Sequence, residues 1–223
     1  MSYCLVPMSA AEIQQLVGVG FADAFQKEMD SIIAPLQKYI KQGRPASMGK
    51  EIWEYAVTDS IVGATWCGAG KGIADIKIGE DIAIDVKSVQ IIDTSTTEAS
   101  LHQTFKETTA EYFKTQDKQA LWNLFVDGWV TKIKTVKEYY LLGIIRDKET
   151  LSCSLIGFKV ARHPSYTAES CKFLKESMTI DSIVDPNFAQ IKVYKGKTRM
   201  EIRIKKSVFA NPAHSFSIYK GIE

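Results

Sequence analysis

Residues 70–89 read GKGIADIKIGEDIAIDVKSV, a run in which isoleucines alternate with polar and charged residues. Strict alternation is typical of a half-buried β-strand, and Gly79 supplies a turn in the middle of the run. A turn centred on Glu80 places Ile76 opposite Ile84 in a β-hairpin. The stretch therefore predicts two antiparallel strands that carry their aliphatic residues on one face.

The charged residues of this hairpin fall on its other face. In the same register Asp75 lies opposite Asp85, with Lys87 on the same side, and like charges so placed destabilise a sheet. A Mg²⁺ ion between the carboxylates would turn this repulsion into attraction, since Mg²⁺ is held by one or two carboxylates plus substrate phosphate. Lys87 would then orient or help deprotonate a water, or stabilise charge on a phosphate. The alternative is an ordinary solvated strand surface with weak ion pairs.

Asp75, followed ten residues later by an Asp-Val-Lys triplet at 85–87, resembles the PD-(D/E)xK signature of type II restriction endonucleases and related nucleases. The neighbouring elements follow that family's order: a helix bearing a glutamate, a glycine-rich turn, a hairpin, D-x-K and a long helix. The resemblance covers residues 47–126, and Ala74 stands where the family name has proline. It implies an α/β or α+β restriction-endonuclease-like core, with a central mixed β-sheet flanked by helices.

The resemblance also implies a reaction, the Mg²⁺-dependent hydrolysis of double-stranded DNA at a specific short sequence, with Mn²⁺ able to substitute. Asp75 and Asp85 would bind the metal, and Lys87 would assist the water nucleophile. A helix glutamate would complete the metal site; Glu51 is favoured and Glu54 is the alternative, although both also suit a solvent-facing helix. Cutting both strands of a palindromic site favours a homodimer, and a cognate DNA methyltransferase is an implied partner in the host.

Two other functions fit the same residues. A repair-type nicking endonuclease or a junction resolvase would share the fold and the catalytic groups but act on a different DNA substrate. A non-catalytic DNA-binding protein would use only basic surface residues.

A second hairpin, rich in basic residues, is predicted within residues 185–223. The segment AQIKVYKGKTRMEIRIKK alternates apolar and polar residues on both sides of a Lys-Gly-Lys turn at 195–197. A two-stranded ribbon can enter the major groove of DNA, whereas the alternative is a solvated edge hairpin protected by lysines. The candidate DNA-contacting residues along the chain are Arg44, Lys50, Lys71, Arg162, His163, Lys195, Lys197, Arg199 and Arg203.

The rest of the chain predicts helices and strands within one nuclease domain, residues 1–223. An S-x-x-E capping box at Ser9 opens a helix predicted from about 9 to 42, with Pro35 as a break or new start. A second long helical region is predicted over 100–127. The apolar run EYYLLGII predicts a buried strand that forms a hairpin with LSCSLIGFKV.

Composition excludes several other classes. A net charge of +2 is too small to indicate a nucleic-acid binder, so any basic surface must be local. The four cysteines contain no CxxC pair, which disfavours a zinc site and predicts reduced thiols. A P-loop is excluded because Thr65 and Gly72 stand where it requires Gly and Ser or Thr. The expectation is a cytoplasmic protein with neither a secretory signal nor a membrane span.

Overall fold

The computed structural model describes residues 2–33, 50–67, 74–104, 108–164, 167–175, 177–180 and 184–221. These residues form a mixed α/β fold with two β-sheets. The helices are α1 Ala10–Val17, α2 Phe21–Ile33, α3 Lys50–Ser60, α4 Ala110–Thr115, α5 Lys118–Ile133 and α6 Lys206–Phe209, with a 3₁₀ turn at Ala168–Ser170. The strands are β1 Ser2–Pro7, β2 Ala64–Trp66, β3 Ile76–Ile78, β4 Ile82–Ile92, β5 Glu98–Thr104, β6 Glu138–Asp147, β7 Cys153–His163, β8 Cys171–Phe173, β9 Ser177–Ile180, β10 Ala189–Tyr194, β11 Arg199–Lys205 and β12 Phe216–Tyr219.

The larger sheet contains seven of the described strands. Six run in the order β1-β7-β6-β4-β3-β2, and β12 pairs with β7. Strands β4 and β6 are parallel, whereas the other pairs in this sheet are antiparallel. The central sheet is therefore mixed, and the long helix α5 lies in the connection between its two parallel strands.

The two faces of this sheet are covered differently. Helices α1, α2 and α3 pack on one face, where Phe25, Val57, Ile76 and Ile84 belong to one buried cluster. Helix α5 and the second sheet cover the other face through a separate cluster of buried residues. Flanking by helices on both faces agrees with the architecture predicted from the sequence.

The second sheet contains five described strands in the order β5-β11-β10-β9-β8. Strand β5 leaves the end of β4 after a short turn at 93–97 and forms an edge of this sheet. Its Leu101 packs against Gly143 of β6 so closely that an added Cβ would lie 2.6 Å from the leucine Cδ2. Gly143 therefore allows the two sheets to approach each other at this point.

The N-terminal helical prediction is partly wrong. The capping box forms as expected, because Ser9 Oγ accepts from the Glu12 N–H at 3.3 Å. The helix then ends at Gly18, which has a φ of 93°, and a new helix starts at Phe21. Glycine takes this positive φ at little cost and commonly ends helices. The remainder of the predicted helix, including Pro35, lies outside the described residues.

The predicted helix over 100–127 is wrong at its start. Residues 98–104 form strand β5, which pairs along its whole length with β11. Ala99 and Leu101 are buried while Ser100 and His102 are half-buried, so this segment follows the two-residue alternation of a strand. Helix begins only at Ala110 and restarts at Lys118. None of the described helices is long and apolar enough to span a membrane.

Candidate functional site

The β3–β4 hairpin has the register that the sequence predicts. Ile76 pairs with Ile84, and Ile78 pairs with Ile82, around a turn at 79–81. The aliphatic face joins the cluster under helices α1 to α3, whereas Ala83 belongs to the cluster under α5. The charged face of the hairpin is therefore turned toward the interior between the two sheets.

Asp85 lies on this inward face and is only 4% exposed. Its Oδ2 accepts from the Lys132 ammonium at 2.8 Å and forms an ion pair with the Lys87 ammonium at 3.0 Å. The Lys132 ammonium also donates to the Tyr139 hydroxyl at 2.7 Å. Asp85, Lys87, Lys132 and Tyr139 thus form a polar group with a buried carboxylate and phenol and two partly buried lysines, named here the Asp85 cluster.

The electrostatics of the cluster keep Asp85 ionised. Burial by itself would raise the pKa of this carboxyl, but the positive charges of Lys87 and Lys132 outweigh that effect and bring the pKa below its ordinary value. Burial and the nearby carboxylate raise the pKa of Tyr139 well above that of a free phenol. The cluster therefore contains a carboxylate anion, two ammonium groups and a neutral phenol.

Asp75 lies one residue before β3, next to Asp85 on the neighbouring strand. Its Oδ2 accepts from the backbone N–H of Val86 at 2.8 Å, and its backbone carbonyl accepts from the Cys67 N–H at 2.9 Å. The hydrogen-bonded ladder itself begins at Ile76, so Asp75 and Asp85 are not a ladder pair. The charge that the sequence left uncompensated is balanced at Asp85 by two lysines.

Lys132 is a member of the cluster that the sequence reasoning missed. Helix α5 buries Leu121, Phe125 and Trp129, which recur every four residues on one face. Lys132 follows Trp129 by three residues and so continues the same buried stripe. A lysine in the last turn of an apolar stripe was the signal that could have indicated an inward-facing cation.

The two candidate glutamates on α3 differ in burial. Glu51 lies in the first turn of the helix and is exposed, whereas Glu54 is only 1% exposed. The helix packs against α2 and β2 and also contacts β4, the strand that carries Asp85. Burial therefore distinguishes Glu54 from Glu51, although α3 packs on the aliphatic face of the hairpin and Asp85 points to the opposite face.

The candidate DNA-contacting residues are distributed over several surfaces. Arg44 and Lys71 lie outside the described residues, as does the side chain of Lys50 at the start of α3. Arg162 stacks over the ring of Tyr3 at 5.1 Å. It lies with His163 at the end of β7, and β6 separates β7 from β4, so these two residues are not brought to the Asp85 cluster.

The basic C-terminal hairpin forms as predicted, and Ile191 lies opposite Ile202. It is not a free ribbon, because β9 pairs with β10 on one side and β5 pairs with β11 on the other. Lys195, Lys197 and Arg199 are exposed in or beside its turn. Arg203 instead pairs with Glu201 of its own strand and with Glu98 of the neighbouring strand β5. The described residues therefore do not form an isolated two-stranded element for the major groove.

The donor chemistry of the site fits Mg²⁺. Asp75, just before β3, and Asp85 on β4 supply two carboxylates, and Mg²⁺ takes one or two protein carboxylates with waters and substrate phosphate. The lowered pKa of Asp85 keeps its carboxylate anionic, with Oδ2 in contact with both lysine ammonium groups. Within the described ranges, no group of three or more His, Cys, Asp or Glu residues is arranged to hold a metal, so waters or phosphate would complete the coordination.

Comparisons with known proteins add no assignment. A scan against protein-family models, a search of curated proteins and a search of solved structures each found no match.

Proposed function

We propose that this chain is a Mg²⁺-dependent endodeoxyribonuclease that cuts double-stranded DNA at a specific short sequence. The observation that carries the proposal is the buried carboxylate of Asp85, ion-paired to Lys87 two residues along the same strand, with Asp75 bonded to the backbone between them. A carboxylate and a lysine with few exposed atoms are typical of a site that acts on a bound substrate. They are not typical of the solvated surface of a strand.

The order of elements supports the same proposal. A helix with a buried glutamate, the β3–β4 hairpin, the long helix α5 and a strand parallel to β4 follow one another along the chain. This order agrees with the resemblance to PD-(D/E)xK nucleases, and a restriction-endonuclease-like core belongs to the proposal. The homodimer and a partner methyltransferase follow from that resemblance alone.

The reaction would be hydrolysis of a phosphodiester. Asp75 and Asp85 would hold Mg²⁺, with Glu54 or Glu51 in support, and the bound ion would polarise the phosphate and acidify a water. Lys87 would orient that water toward phosphorus and stabilise the charge that develops on the phosphate oxygens. Attack of water breaks one P–O ester bond, leaving a phosphate monoester on one fragment and a hydroxyl group on the other.

Lys132 and Tyr139 would act through Asp85 in this scheme. The Lys132 ammonium bridges the carboxylate and the phenol at 2.8 and 2.7 Å, which fixes the carboxylate orientation from the side of α5. Because both groups act by holding the Asp85 carboxylate in place, we assign them as positioning residues rather than catalytic residues.

The experiment that tests the function is digestion of plasmid DNA by the purified protein in Mg²⁺, followed by sequencing of the DNA ends. The wild type should produce discrete, repeated end sequences in Mg²⁺ and none in EDTA. Asp85→Asn should lose cleavage by at least about a thousandfold, because it removes a charged metal ligand. The matched control is Asp81→Asn, which alters an exposed carboxylate in the turn of the same hairpin and should cut normally.

A second function is favoured by a specific observation. Asp85 is already neutralised by two ammonium groups, as in a purely structural ion cluster, and a metal would have to compete with them. A non-catalytic DNA-binding protein is consistent with this arrangement. It predicts that wild type and Asp85→Asn bind DNA equally and that neither cuts it. A nicking enzyme would instead leave nicked plasmid, and a junction resolvase would cut only branched DNA.

A further inference from the structure

The register of the five-stranded sheet determines which side chains point away from the hydrophobic core. Ile202 pairs with Leu101 on one side and Ile191 on the other, and all three are buried. The alternating residues Glu201 and Lys192 therefore project from the opposite surface, named here the outer face. The charged residues of the outer face and its β10–β11 turn are Glu98, Lys172, Lys192, Lys195, Lys197, Arg199, Glu201, Arg203 and Lys205.

The outer face concentrates positive charge that the composition hides. It holds seven lysines and arginines against two glutamates, an excess of five positive charges. The whole chain has a formal net charge of only +2, so all other residues together carry a net charge of −3. The small overall charge therefore arises from two oppositely charged parts of the molecule.

The two glutamates of this face are engaged by one arginine. Arg203 pairs with Glu98 and with Glu201, each at 3.3 Å, and donates to the Tyr194 hydroxyl at 2.8 Å. The negative charges are thus held at the centre of the face by a cation of the same face. Four exposed cations make no ion pair with any other described residue: Lys195, Lys197, Arg199 and Lys205.

The shape and chemistry of the face fit a polyanion better than a protein partner. Its uncharged described residues are mostly short and polar, including Ser100, Thr104, Thr179 and Gln190. The buried centre of a protein–protein interface is instead depleted of charge and enriched in apolar side chains. Five strands span about 19 Å, along which duplex DNA carries on the order of ten phosphates.

We propose that the outer face of the five-stranded sheet binds the phosphate backbone of duplex DNA. The contact extends across all five strands, and the β10–β11 turn forms one margin of it. The proposal rests on the proposed function, since a DNA nuclease needs a surface that holds its substrate. Continuity along the chain supports it, because edge strand β5 continues from β4 after the turn at 93–97. The buried face of this sheet packs through Leu101 on Gly143, the ladder partner of Lys87. The cationic outer face therefore belongs to the sheet that packs beside the Asp85 cluster and lies on the far side of that sheet.

The test compares three double variants that each remove two positive charges. Lys172→Gln/Lys205→Gln alters two margins of the sheet, and Lys195→Gln/Lys197→Gln alters only the hairpin turn. The control is Lys27→Gln/Lys220→Gln, which alters exposed lysines on α2 and after β12, where the Lys220 N–H contacts Gln26 of α2. Binding of a fluorescein-labelled duplex is measured by anisotropy in EDTA, between about 50 and 200 mM salt.

We expect both the sheet variant and the turn variant to bind roughly tenfold more weakly at the lower salt concentration. The slope of log affinity against log salt should fall by about 1.8 in each, since each phosphate contact contributes about 0.9. The control should match the wild type. Normal binding by the sheet variant would overturn the proposal, whether or not the turn variant is weakened, and so would tighter binding of a single strand or of anionic vesicles than of the duplex.

A second measurement uses the unaltered protein. Acetylation footprinting should show that duplex DNA protects Lys172, Lys192 and Lys205, while Lys27 and Lys220 remain reactive; equal reactivity with and without DNA would overturn the assignment. Failure of the nuclease function is seen separately, as intact plasmid in Mg²⁺ with the footprint still present. Conversely, if the sheet variant cleaved plasmid with an unchanged KM, the nuclease function would be supported and DNA binding by the outer face would be rejected.

Discussion

The β3–β4 and β10–β11 hairpins are built from the same alternation of aliphatic and charged residues, but only one of them buries its charged side. Asp85 on β4 is 4% exposed, whereas Lys192 and Arg203 on the second hairpin are half-buried and face outward. Alternation predicts which residues share a face, because successive side chains of a strand point in opposite directions. It does not predict whether that face is covered.

The difference in cover changes what the charges can do. Helix α5 brings Lys132 over β4, and β6 brings Tyr139, so Asp85 exchanges water for protein partners. Charges held this way interact strongly and depend on every partner. The pairs of Arg203 on the outer face remain partly solvated, and such pairs contribute about 0–1 kcal/mol. One hairpin is therefore suited to a chemical site and the other to a binding surface.

The largest expected difference in stability comes from neutralising one carboxylate in each region. Asp85→Asn should lower the free energy of unfolding by about 3 kcal/mol, because Lys87 and Lys132 would lose their shared counter-charge in a buried setting. Glu98→Gln, which breaks the half-exposed pair with Arg203, should cost less than about 1 kcal/mol. Urea denaturation measures both, and equal losses would remove the distinction between the two hairpins.

The next largest effect concerns the lysine that α5 supplies. Lys132→Met should cost about 2 kcal/mol, since it keeps an apolar stem in the helix stripe but removes hydrogen bonds to Asp85 and Tyr139. Lys137→Met is the matched control, because that ammonium pairs with exposed Asp81 at the same 2.8 Å. The unfolding midpoint of the control should stay at the wild-type value. If Lys132→Met left the unfolding midpoint unchanged, burial of the Asp85 cluster would not make its ion pairs stronger than the exposed pair of Lys137.

A smaller effect is expected where the two sheets meet. Gly143→Ala should cost about 1–2 kcal/mol, because its Cβ would clash with Leu101. Gly128→Ala, in helix α5 with open space around the added methyl, should instead raise stability by up to about 1 kcal/mol. Thermal unfolding of the two variants tests the contact that fastens β5 to β6. If the two variants melted alike, the close approach would be rejected.

The smallest perturbation is chemical labelling of the thiols. Cys67, beside the Asp75 backbone, is partly exposed, whereas Cys4, Cys153 and Cys171 are buried. Burial raises the pKa of Cys4 to about 11 and that of Cys153 to about 12, which slows their reaction further. One thiol should react with Ellman's reagent in the native protein and four after unfolding, and the rapid reaction of a second native thiol would contradict the described burial.

Much of the fold around the site could be predicted from the sequence, because local pattern determines it there. The isoleucines of β3 and β4 fixed the register, and Gly79 marked the turn. Strand β5 was misassigned to a helix because its partner β11 lies about a hundred residues later in the chain. Pairing with a distant strand overrides local preference, and no short window of sequence contains that information.

The candidate site shows the same limit. Asp75, Asp85 and Lys87 are close in sequence, so a spacing argument could find them. Lys132 reaches Asp85 only because α5 crosses back over β4, and a difference of 47 positions hides that contact. The choice between Glu51 and Glu54 likewise depended on which side of α3 is covered, which a spacing of three residues does not determine.

The central claim is that Asp75 and Asp85 bind a divalent cation to cut DNA. Its most direct test is a crystal structure of the protein with duplex DNA and Mn²⁺, in which anomalous scattering locates the metal. The account predicts a peak about 2.1 Å from an oxygen of each carboxylate, with a DNA phosphate as a further ligand. DNA bound without any such peak, and with Lys87 and Lys132 still paired to Asp85, would contradict it.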